Sequence, residues 1–139
     1  MPAFLKFKQK RNRPMKPPKN DQKFYWTRHV WGKMIQYRIS ESLIRRIIRY
    51  PKRMEEGVAL ETMAAMIPAG SVKRPQEVWV MYAKSSNAKI KSHSSKIVVI
   101  TAWRYPGTSP VRTQIPIPRD ILSELDDVLK QIQRESSEI

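Results

Sequence analysis

Two runs of β-branched and aromatic residues, 77–83 (EVWVMYA) and 96–103 (KIVVITAW), constrain the fold of this chain more than any other feature. In the first, Val78, Val80 and Tyr82 alternate with Trp79 and Met81, so both faces carry apolar side chains and both are expected to be at least partly covered. The second is β-branched nearly throughout and flanked by charge. The segment 84–95 between them is polar, rich in Ser, Asn, Lys and His, and reads as a long hairpin connection. Residues 62–67, bounded by Pro68-Ala69-Gly70, read as a third strand, and the short stretch 54–57 as a weaker fourth. An antiparallel sheet of three to four strands is therefore expected.

Helices are expected on either side of these strands. From Thr27, a plausible N-cap, Val30, Met34 and Tyr37 recur at i, i+4 and i+7, with Trp31 and Ile35 widening the stripe. His29, Lys33 and Gln36 share the more polar face. A second helix begins after Ser40, with Glu41 in its first turn and Leu43, Ile44, Ile47 and Ile48 as its apolar face. Its cations Arg45, Arg46 and Arg49 point outward near the C-terminal end, where positive charge suits the helix dipole, and Pro51 stops it. After a proline-rich crossing from Pro106 to Pro118, Ile121, Leu122, Leu125, Val128, Leu129 and Ile132 mark a final amphipathic helix. Helices, then strands, then a helix predict an α+β fold whose sheet is covered mainly on one face.

Charge divides the 139 residues in the same places. Residues 1–24 hold eight basic side chains against one acid (+7), residues 25–118 sixteen against five (+11), and residues 119–139 three against six (−3), for a net +15. The chain thus reads as a basic arm (1–24), an α+β domain (25–118) and an acidic C-terminal helix (119–139). The arm has four prolines and few apolar groups, too little to offset the entropy of ordering it alone, and is expected to be disordered until it meets a polyanion. Its contacts would come from Lys6, Lys8, Lys10, Arg11 and Arg13, with Phe4, Phe7 and Phe24 interleaved. With no cysteine, disulfides and thiolate chemistry are excluded. No apolar run approaches the ~18 residues of a membrane span, and the first residues do not read as a secretory signal, so a cytoplasmic protein without a membrane partner is expected.

The segment from Thr27 to Gly57 carries a further pattern. His29, Lys33 and Met34 followed by Ile39-Ser40 resemble a family of small domains of unknown function that open with His-Ala-x-x-(Arg/Lys)-Met and continue with Ile-Ser before a second helix. Where that family has Arg-Gly before Ile-Ser, this chain has Tyr37-Arg38. The family is similar to the RelE/ParE and BrnT toxin group, and the likeness spans about residues 27–105. It implies two short helices, a curled antiparallel sheet whose concave face meets RNA, work at the ribosome, and an antitoxin-like protein partner.

Ribonuclease chemistry of that class needs a base for the 2′-hydroxyl, cations for the pentavalent phosphate and an acid for the leaving oxygen. His29 with Lys33 one turn later, and Arg104 with Tyr105 at a strand end, could form a metal-independent set. Alternatively, His29 is structural, capping or packing the first helix. His93, in a polar loop, reads as solvated. For nucleic-acid binding the candidates beyond the arm are Arg38, Arg45, Arg46, Arg49, Lys52, Arg53 and Lys96. Tyr105 is the better stacking aromatic, whereas Trp79 and Trp103 read as core. The adjacent carboxylates Glu55 and Glu56 would point to opposite faces of a strand, so no metal is expected; there is no phosphate-binding glycine loop or nucleophile elbow, and no cofactor is expected either. Three readings follow: an RNA-binding protein, a toxin-type endoribonuclease, or a protein-interaction module whose last helix pairs with another chain.

Overall fold

The computed structural model describes residues 15–58, 61–84, 97–111 and 114–137; the side chains of residue 131 and of residues 133–137 are not described. In chain order the elements are β1 (Phe24–Trp26), α1 (Arg28–Tyr37), α2 (Glu41–Arg49), β2 (Arg53–Glu56), β3 (Met63–Gly70), β4 (Pro75–Lys84), β5 (Ile97–Pro106) and α3 (Arg119–Ser137). The strands form one five-stranded sheet in the order β1-β5-β4-β3-β2. Every pairing is antiparallel except β1 with β5, which is parallel, so the sheet is mixed.

This corrects the expected antiparallel sheet of three to four strands. The additional strand, β1, has three residues, too few to show a period of two, and it pairs with a segment more than seventy positions away. It also begins at Phe24, inside the expected arm, and Met15 packs, partly buried, against the core beside it. Asn20 and Asp21 close its outer side. The Asn20 side-chain oxygen accepts from the Trp26 amide (2.6 Å), and Asp21 accepts from the amides of Lys23 and Phe24 (2.8 Å each). These amides hold the Asp21 carboxyl below its ordinary range.

The second correction concerns the faces. Val78, Val80 and Tyr82 of β4 lie under α1 and α2, with Ile44, Ile47 and Met34. Trp79, Met81, Ile100 and Trp103 lie under α3, whose Ile121, Leu125, Val128 and Ile132 are buried against them. Helices therefore cover both sides of the central strands, and β4 is buried from Glu77 to Ala83. Trp79 and Trp103 are directly opposed across the ladder, with rings 6.0 Å apart and nearly parallel, as core residues.

A β-bulge decides where α1 sits. Met81 pairs with Thr101 and Tyr82 with Val99, so Ile100 is the extra residue. Its carbonyl accepts from the Thr27 hydroxyl (3.0 Å), and the Thr27 hydroxyl oxygen in turn accepts from the Val30 amide to cap α1. At the other end, Arg104 of β5 donates to the carbonyls of Tyr37 (2.7 Å) and Arg38 (3.0 Å). Helix α1 thus runs along the part of the β5 edge that the short β1 leaves uncovered and flanks the open sheet there.

Candidate nucleic-acid interface

Helix α2 starts at Ser40, whose hydroxyl accepts from the Leu43 amide (3.2 Å), and turns Ile44 and Ile47 fully into the core. With that face fixed, the 3.6-residue period puts Ser42, Arg45, Arg46 and Arg49 on the rim facing β1. Together with Lys23, Phe24, Ile48, Tyr50 and Ile97 they line an open groove of about 480 Å³ between α2 and the β1–β5 edge.

The groove has one rigid wall and one free rim. Arg45 is held in place: its guanidinium carbon lies 4.6 Å from the centre of the Phe24 ring and 5.7 Å from that of Trp26, Nε contacts Glu41 (3.0 Å) and Nη2 contacts Asp21 (3.4 Å). By contrast, Lys23, Arg46 and Arg49 are exposed and form no ion pair among the described residues. The Tyr50 ring is 70% exposed, with the Arg49 guanidinium 5.9 Å from its centre. Ile48 and Ile97, half-buried, add apolar surface, whereas Phe24 lies beneath Arg45 and is 4% exposed. The C-terminal end of a helix carries partial negative charge, so any attraction for an anion here comes from these side chains and not from the helix dipole.

The other expected ligands are scattered. Lys52 is exposed just beyond α2, and Arg38 is exposed at the C-cap of α1. Arg53 is turned inward: its side chain is 11% exposed, pairs with Glu55 (3.1 Å), donates to Ser109 and to the Pro110 carbonyl, and lies 5.2 Å from the Trp79 ring centre. Ser109 and the Trp79 indole in turn donate to Glu77, a carboxylate 2% exposed on β4. Arg53 therefore belongs to a buried polar network that fastens the 107–111 segment to the sheet. Lys6, Lys8, Lys10, Arg11, Arg13, His93 and Lys96 lie outside the described residues.

The residues considered for cleavage are also accounted for. His29 and Lys33 do lie together on α1, but they face α3. His29 contacts Glu124 through Nδ1 (3.3 Å) and Thr101 through Nε2 (2.8 Å). Lys33, 7% exposed, pairs with Asp120 (2.8 Å) and Glu124 (3.5 Å). Burial pushes the His29 imidazole below its ordinary value, despite Glu124. Burial opposes the charge of Lys33 as well, yet Asp120 and Glu124 outweigh it and raise its value, while Lys33 holds the Asp120 carboxyl low. Arg104 is at the C-terminal end of α1, about 12 Å along the axis from His29 and about 6 Å from Lys33 at 1.5 Å per residue, bound to the terminal carbonyls. Tyr105 is half-buried, packed on the α3 side of the core. His29 and Lys33 are thus apart from Arg104, Arg104 and Tyr105 point to opposite faces of β5, and the polar side-chain atoms of His29, Lys33 and Arg104 are engaged within the fold. Among the described residues no cluster of three or more His, Asp or Glu could hold a metal, and no helix is long and apolar enough to cross a membrane.

Sequence reasoning missed Lys23 and Tyr50. A usable signal for Tyr50 existed, since it follows Arg46 by four positions and lies on the same helical face. Lys23 had none, because its place depends on the parallel pairing of β1. No protein-family model matches the chain, and neither does any curated protein or solved structure.

Proposed function

We propose that this protein binds RNA, with the groove between α2 and the β1–β5 edge as its main contact. The observation that carries this reading is the cluster of Lys23, Arg46 and Arg49, three exposed cations without carboxylate partners among the described residues, around the exposed ring of Tyr50. Phosphate neutralisation needs mobile, unpaired cations; Arg45, tied to Asp21 and Glu41, shapes the wall instead. A net charge of +15 adds long-range attraction, and the arm brings further Lys and Arg to the same polyanion. RNA is favoured because its unpaired stretches present base faces to an aromatic side chain; ribosomal RNA in the cytoplasm is the proposed setting. The His29 to Ser40 pattern supports a distant RelE/BrnT-like ancestry, with the RNA surface moved from the sheet, here covered on both faces, to the outside of α2.

The test is RNA binding against salt for the full chain and for Arg46→Gln/Arg49→Gln, both side chains being exposed and outside the core. Each lost phosphate contact lowers the log–log salt slope by about 0.7 on a single strand, so the double variant should bind more weakly with a slope shallower by about 1.4. Wild-type affinity and slope in a folded double variant would remove the groove from RNA binding.

A further inference from the structure

The groove differs from a plain phosphate-binding surface in carrying an aromatic and an apolar part. From this we infer that it takes unpaired nucleotides, with a base on the Tyr50 ring and the flanking phosphates on Arg46, Arg49 and Lys23, and that it rejects duplexes. The inference rests on the RNA-binding reading above and adds the class of RNA and the residue that selects it.

Three features support it. The Tyr50 ring is 70% exposed at the end of α2, where Tyr50 packs into neither core cluster. An exposed ring beside a guanidinium gives a base both a stacking face and a nearby cation. Second, Ile48 and Ile97, both half-buried, line the groove along with its cations. Apolar surface has no use for phosphate oxygens but suits base and ribose faces. Third, about 480 Å³ is within the range that encloses a small ligand, so the groove admits a splayed nucleotide or two. A duplex keeps its base faces stacked inside and offers only backbone and groove edges. The cations can touch it, but Tyr50 has nothing to stack on. Arg45 contributes by being fixed: stacked against Phe24 and held at two carboxylates, it keeps one wall in place before any ligand arrives.

The experiment measures binding of the full chain to a labelled ten-nucleotide oligoadenylate and to an RNA duplex of ten base pairs, with oligoglutamate of matching charge as competitor. The proteins are wild type, Tyr50→Ala, Tyr50→Phe and Arg46→Gln/Arg49→Gln, each checked for an unchanged melting temperature. The single strand should bind at least about tenfold more tightly than the duplex. Tyr50→Ala should lose about 5- to 100-fold on the single strand and almost nothing on the duplex, while Tyr50→Phe stays close to wild type. The arginine variant should weaken on both RNAs. If the duplex binds equally and Tyr50→Ala changes nothing, while the arginine variant still weakens, single-strand selection is overturned and RNA binding stands. If oligoglutamate displaces the single strand as well as unlabelled RNA does, the groove is a site for acidic peptides and the inference fails. If neither RNA binds, both readings are overturned.

Discussion

At the scale of the residue, Arg38 shows how a local cost is tolerated for a turn. It closes α1 with φ 54° and ψ 54°, the left-handed conformation in which a helix C-cap ordinarily uses glycine. The Cβ of any other residue crowds the neighbouring carbonyl there, at a cost of about 1 kcal/mol. The chain accepts that cost because the turn must deliver Ile39 fully into the core two residues after Tyr37, and because Arg104 gathers both carbonyls of the turn. Its side chain is exposed, so little is lost with it. Arg38→Gly should therefore stabilise the fold only slightly, by at most about 0.5 kcal/mol, because glycine also loosens the unfolded chain and so cancels much of the strain removed. Urea denaturation would measure this, and a destabilised variant would mean that the arginine side chain contributes more than its exposure suggests. Gly70, by contrast, cannot be replaced in the same way. Its φ is 77°, and a Cβ would stand 2.4 Å from the Arg74 carbonyl oxygen in the β3–β4 turn.

At the scale of the element, the seam between α1 and α3 joins the two layers past the edge of the sheet. Its polar members are His29, Lys33, Gln36 and Thr101 on one side and Asp120 and Glu124 on the other. Because burial depresses the His29 value, the folded protein binds that proton less readily than the unfolded chain does. Stability from this site is complete above the ordinary histidine value of about 6.5 and is lost as pH falls from there towards the depressed folded value, with a slope of at most ~1.4 kcal/mol per pH unit. Asp120, whose value is lowered, contributes stability that is present above the ordinary carboxylate value and lost at still lower pH. His29→Gln should flatten the first of these two regions and leave the second; a melting temperature that falls equally in both proteins between pH 6.5 and pH 5 would assign the loss elsewhere. Much of this level could be read in the sequence. The apolar stripes of α1, α2 and α3, the caps at Thr27 and Ser40, and strands β3, β4 and β5 all have local signatures. The facing of His29 and Lys33 did not, because a polar helical face looks alike whether solvent, phosphate or an acidic helix lies opposite. Arg53 misled for the same reason: its charge was visible, while its burial depends on Glu55, on Glu77 across the sheet and on Ser109, more than fifty positions away.

At the scale of the whole molecule, the two helical layers differ in charge. The α2 layer presents Arg46 and Arg49, and the α3 layer presents Asp126 and Asp127 together with Arg119 and Lys130, all exposed, on opposite faces of the sheet. The net field draws polyanions in, and the exposed cations of α2, without carboxylate partners among the described residues, bias where they make contact. Salt separates this long-range contribution from the short-range one. The effect of removing Arg46 and Arg49 is electrostatic, so the ratio of wild-type to double-variant affinity should shrink about sevenfold as salt rises from ~50 to ~200 mM, given a slope difference of about 1.4. Stacking on Tyr50 involves no counterion release. The ratio of wild-type to Tyr50→Ala affinity for oligoadenylate should therefore stay within about twofold across the same range. A Tyr50→Ala ratio that shrank in step with the arginine variant would mean that the ring acts only by positioning Arg49, which lies 5.9 Å from its centre. Two ratios with different salt dependence would divide the groove into a part that attracts any polyanion and a part that distinguishes an exposed base from a paired one.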